Sequence, residues 1–146
     1  MEDSQREKLE DYIIGLRDFN TASSFPMGAV LMDEADRAEV VRLIKRKKLP
    51  VLEAGQGHPD LVLGALIDIL KKGKMAILNL TASLDPKLLN QLHNMANDQI
   101  NAQLVGETNP AILNPIPQGS KLVLLMSKDY YENLEQQDMI TSVCQI

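Results

Sequence analysis

Residues 75–80, MAILNL, contain no polar side chain before Asn79. A strand with one wet face alternates apolar and polar residues. This one does not, so both of its faces are expected to be covered. The run also ends on an asparagine, where many α/β enzymes place a catalytic carboxylate. An amide cannot serve as a general acid or base. It is better suited to hydrogen-bonding loop backbone, for example the turn that leads to Ser83.

The segments around this strand alternate between helical and extended patterns. Leu9, Tyr12, Ile13, Leu16 and Phe19 recur at helical spacing over 2–19. The apolar run 28–32 is a candidate strand. Asp33 is placed to cap a helix from 34 to about 47, with Val40, Val41 and Ile44 on one side and a basic end that suits the helix dipole. A strand is expected at 49–54. A helix follows over 59–72, opened by Pro59 and stopped by Gly73. Its apolar residues cover most of the circumference, so it needs cover on more than one side. After the 75–80 strand, Asp85 or Ser83 caps a helix whose stripe is Leu88, Leu89, Leu92, Met95, Ala96 and Ile100. The apolar runs 102–107, 111–114 and 121–126, separated by Gly, Asn and Pro, read as a small antiparallel meander. Ser127 is placed to cap a last helix at 128–137. The stretches 40–54 and 65–80 share one pattern: helix end, lysine-rich turn, strand. Two copies are too few for a solenoid.

Composition narrows the classes of function. Aromatics are 3% with no Trp, so the core is aliphatic. A net charge of −5 argues against nucleic-acid binding, which needs a basic face. Cys144 is the only cysteine, so no internal disulfide or zinc cluster is expected and a reducing cytoplasm fits. The first residues lack the apolar core of a secretory signal, and no apolar run is long enough to span a bilayer.

No motif assembles a reaction site. LMDEADR (31–37) resembles a helicase acidic box, but no G-x-x-x-x-G-K-[ST] loop precedes it, and a capped helix start explains it. Gly55, Gly57 and His58 lie in a glycine-containing turn between a strand and a helix, where anion and nucleotide loops sit. That turn lacks the lysine of a phosphate loop and the third glycine of a dinucleotide loop. His93 has only Leu89, Asn90, Ala96 and Asn97 at helical neighbour positions, none of which makes a metal or nucleophile site. No nucleophile, base and oxyanion donor come together. The chain is expected to be no enzyme, with no catalytic residue, metal or cofactor.

The stretch LVLGALIDILKKGKMAILNLTASLDPKLLNQLHNMANDQINAQLVGE, followed by AILNPIPQGSKLVLLMS, resembles the SepF family of bacterial and archaeal cell-division proteins. The likeness covers about 50–127. It rests on the order of segments and on ILNL: a helix, a Lys/Gly turn at 71–74, the strand at 77–80, a helix start at Asp85, an apolar helix and three short strands. The resemblance implies a non-enzymatic scaffold at the division septum, a dimer of small α/β sandwiches that binds the tubulin-like protein FtsZ and tethers it to membrane. The acid-rich first helix stands where the family carries a membrane-binding one, which counts against the tether. The 28–48 segment is extra.

The fold expected is α/β: a small two-layer sandwich with a β-α-β-α-β-β-β core and a mixed sheet. Residues 1–48 form an N-terminal helical extension with a candidate extra strand, and 49–146 form the core with a C-terminal helix. The function expected is a cytoplasmic scaffold or adaptor, a homodimer or higher oligomer, with a protein partner such as the FtsZ tail and no nucleic acid. Leu63, Ile67, Leu88, Leu92, Met95 and Ala96 are the candidate partner or dimer surface. The wide apolar arc of the 59–72 helix is covered either by a second copy or by the chain's own first helix. The alternative is a degenerate nucleotide-binding regulatory domain, using Gly55, Gly57 and His58 and incapable of hydrolysis because Asn79 replaces an acidic residue. A phosphoacceptor domain built on Asp33 and Glu34 lacks its acceptor at Asn79.

Overall fold

The computed structural model describes residues 1–18, 27–53, 59–72, 75–80, 121–135, 137–140 and 142–146. In chain order the described elements are α1 (Asp3–Asp18), β1 (Met27–Met32), a 3-10 turn (Glu34–Asp36), α2 (Arg37–Arg46), β2 (Val51–Glu53) and α3 (Pro59–Lys71). Then come β3 (Met75–Asn79), β4 (Lys121–Ser127), α4 (Lys128–Glu132), a second 3-10 turn (Gln137–Met139) and β5 (Ser142–Gln145).

The five strands form one sheet in the order β2-β3-β4-β1-β5, and every neighbouring pair is parallel. The expectation of a mixed sheet is therefore corrected. The run 121–126 does not close an antiparallel meander; β4 lies parallel between β3 and β1. Parallel neighbours need long crossovers, and crossovers lay helices on the faces of the sheet. The runs 102–107 and 111–114 and the helix expected from 86 to 100 lie outside the described residues.

The two-layer expectation is corrected as well, because helices cover both faces. Side chains along a strand alternate between faces. Met27, Ala29 and Leu31 of β1, with Ala76 and Leu78 of β3 and Leu122, Leu124 and Met126 of β4, pack with Leu66 of α3 and with Leu134. The alternate positions Val30, Met32, Met75, Ile77, Val123 and Leu125 pack with Leu9 and Ile13 of α1 and Val40 and Ile44 of α2. The unbroken apolar strands read from the sequence are thus double-faced core strands in three layers. Every residue of β1 and β3 is buried. Each Leu- or Ile-sized side chain placed in this core contributes about 1.5–3 kcal/mol of burial free energy.

β1 is hydrogen-bonded between β4 and β5, in the same sheet as the strands from residue 49 onward. α1 and α3 lie on opposite faces, so α1 does not cover the outer arc of α3. The two similar helix–strand stretches also part here: β2 pairs with β3, but α2 and α3 pack on opposite faces.

Three ends differ from expectation. α2 starts at Arg37, after a 3-10 turn, and the Asp33 side chain makes no capping bond. Only the Asp33 carbonyl accepts, from the Asp36 N–H. The final helix is shorter, Lys128–Glu132, though Ser127 caps it as expected by accepting from the Tyr130 N–H at 3.0 Å. The chain then returns as β5, which pairs with β1.

Candidate functional site

Register brings the polar end of the sheet together. Glu53 of β2 lies opposite Asn79 of β3, and Asn79 lies opposite Leu125 of β4. These positions belong to the carboxyl ends of the strands, where doubly wound sheets bind their ligands. Asn79 shares the parity of Met75 and Ile77, which face α1 and α2. The first residue of α2, Arg37, meets it there.

The contacts make a chain of partners. The Asn79 amide donates to Glu53 Oε2 at 2.8 Å and accepts from Arg37 Nη1 at 2.6 Å. Arg37 Nη1 also donates to the Leu125 carbonyl at 3.3 Å. Arg37 Nε and Nη2 grip Glu34 in a two-pronged bond, at 2.9 and 2.6 Å. With a carboxylate on one side and a guanidinium on the other, only one orientation of the amide satisfies both. An aspartate could accept from Arg37 but would oppose Glu53. That accounts for asparagine at this strand end; the turn toward Ser83, the partner expected for its amide, lies outside the described residues. Asn79 is 5% exposed, so leaving either half of its amide unpaired would be expensive.

At the neighbouring strand ends, Lys128 Nζ lies 3.7 Å from Asp33 Oδ1, linking the end of β4 to the end of β1. Both side chains reach water, so the pair adds about 0–1 kcal/mol. The Arg37 guanidinium, bonded to Glu34, holds the Glu34 carboxyl below the usual carboxylate range, against a small opposing effect of burial.

The polar groups of this arrangement are hydrogen-bonded to one another. The start of α2 would be an anion seat, but Asp33, Glu34 and Asp36 already supply negative charge there. Among the described residues at this edge, the Arg37 guanidinium is bonded to three partners of its own chain. Among the described residues, no group of three or more His, Cys, Asp or Glu side chains could hold a metal ion. Burial pushes the Cys144 thiol up, which disfavours the nucleophilic thiolate. Burial also raises Tyr12, whose hydroxyl is hydrogen-bonded to the Ser142 side chain at 2.8 Å.

The residues singled out from the sequence are placed unevenly. Leu63 and Ile67 are on α3, but their side chains lie outside the described residues; Val62, Leu66 and Ile69 of the same helix face the sheet, and Leu61 is exposed. Leu88, Leu92, Met95 and Ala96 lie outside the described residues, as do Gly55, Gly57, His58 and His93. The segment 54–58 joins the carboxyl end of β2 to α3. Sequence reasoning missed Arg37 and Glu53. The spacing of Glu34 and Arg37, three apart at a helix start, was a visible signal for half of the network. Glu53 had none, because only the register of β2 on β3 brings it to Asn79.

Among the described residues, no helix is long and apolar enough to cross a membrane. No protein-family model matches the chain, and no curated protein matches it.

Proposed function

We propose that the chain is a non-enzymatic cytoplasmic adaptor, SepF-like in its residue order, that binds a protein partner such as the FtsZ tail and acts as a homodimer or higher oligomer. The observation that carries this reading is the Glu53–Asn79–Arg37–Glu34 network. It occupies the described part of the edge of the sheet where a doubly wound enzyme would hold its substrate, and there its groups are spent on one another. The described sheet is all parallel where a mixed sheet was expected, and the SepF resemblance rests on residue order alone.

The second reading, a degenerate nucleotide-binding regulatory domain, is favoured by one feature. The glycine-containing segment with Gly55 and Gly57 follows the carboxyl end of β2 in a parallel sheet. The carboxylates at the start of α2 weigh against a phosphate beside them.

Light scattering of the purified chain, with and without an FtsZ tail peptide, tests the adaptor. The expected result is a mass above the 16.2 kDa of one chain and a further response to the peptide. A strict monomer indifferent to the peptide overturns it.

A further inference from the structure

The end of α2 and the turn after it carry Arg42, Lys45, Arg46, Lys47 and Lys48, all exposed. Five of the 15 Lys and Arg residues of an acidic chain fall within these seven positions. A helix C-terminus bears only about half an elementary negative charge, so the dipole accounts for one cation and not for five. Arg42 lies 3.8 Å from Glu39 and Lys47 lies 3.7 Å from Glu10. Among the described residues, Lys45, Arg46 and Lys48 have no ion-pair partner.

The patch borders an open hollow of ≈ 480 Å³ lined by Ala38, Val41, Arg42, Lys45 and Arg46. Ala38, Val41, Arg42 and Lys45 follow helical spacing along one face. Ala38 and Val41 give that face a small apolar floor, and the three cations stand at its rim.

We propose that this face of α2 docks a short acidic segment of a partner protein. One apolar side chain sits on Ala38 and Val41, and carboxylates meet Arg42, Lys45 and Arg46. The proposal gives the adaptor role a surface and rests on that reading. A peptide fits better than a nucleic acid on two grounds. No aromatic side chain lines the hollow for a base to stack on. The cationic footprint is also short, and the rest of a chain with 20 Asp and Glu would repel a longer run of phosphates.

The test is fluorescence polarisation of a labelled Glu/Asp-rich peptide with one central leucine, titrated with the full chain. The comparison proteins are the K45E/R46E double variant and Ala38→Glu, each checked for folding by circular dichroism. All three positions are in water or at its edge, so the fold should survive. The expected result is saturable binding that weakens with salt, and that falls about tenfold or more in K45E/R46E because reversed charges repel the peptide. Equal affinity for wild type and the double variant overturns the proposal. So does binding of a single-stranded oligonucleotide or of anionic lipid vesicles without binding of the peptide. The same double variant is carried through light scattering with the FtsZ tail peptide. An undiminished response there overturns this surface and leaves the adaptor standing; a wild-type chain that binds neither peptide overturns both.

Discussion

Asn79 is held by an acceptor on one side and a donor on the other, and its substitution reads out both. Asn79→Asp keeps the volume and the acceptor for Arg37 but loses the donor to Glu53 and sets two carboxylates against each other. Stability is expected to fall by about 1–3 kcal/mol, measured as a lower midpoint in urea with an unchanged slope. An unchanged midpoint would mean that the network carries no stability. Lys48 makes a second, independent case. It sits at φ 59 in the turn that ends α2, with its N–H donating to the Lys45 carbonyl at 3.0 Å. Glycine takes that conformation freely, so Lys48→Gly is expected to stabilise the chain by about 0.5–1 kcal/mol, read from the melting temperature. At this scale the sequence was informative about Asn79 as an anomaly and silent about its partners. Polar pairing between strands depends on register, and register is written in neither Glu53 nor Asn79 alone.

The elements divide into those whose pattern is local and those that depend on distant chain. α1, α3 and β3 came out within a residue or two of their sequence limits, because helical periodicity, Pro59, Gly73 and an unbroken apolar run are local signals. β5 was missed, since four residues near the chain end carry too little pattern to mark a strand; the last helix was expected to end at 137. Its place beside β1 comes from tertiary packing of Cys144 and Ile146. Leu66 is fully buried where α3 meets the sheet. Leu66→Ala is expected to cost about 2–5 kcal/mol in denaturant unfolding. A loss well below that range would show that α3 is less firmly seated. Acid should also act on identifiable element contacts. Arg37 holds Glu34 below its ordinary value, and Glu39 is lowered chiefly by Arg6, with the Met1 amine 3.3 Å away. A carboxyl lowered in the fold contributes stability above its unfolded-chain value, and that stability is lost as pH falls through the folded value. Melting temperature should therefore hold near neutrality and decline from about pH 5 to about pH 3, and Glu34→Gln should remove part of the slope. A slope identical in the variant would contradict the role given to Glu34.

For the whole molecule, the sequence gives the α/β class but not the architecture. The double-faced strands were visible; that helices lie on both faces required knowing which crossover goes to which side. The interior position of β1, between β4 and β5, was equally hidden, because parallel partners are far apart in the chain. Function was the least legible level. The chain has a ligand edge by topology, yet its own side chains occupy the described part of that edge, and among the described residues a cluster of cations without ion-pair partners lies at the end of α2 and the turn after it. The most direct measurement is titration calorimetry of ATP and GTP into the purified chain. The account predicts no saturable heat from either nucleotide, because Arg37 is committed to Glu34, Asn79 and the Leu125 carbonyl and the start of α2 is already acidic. Stoichiometric micromolar binding of either one would contradict it.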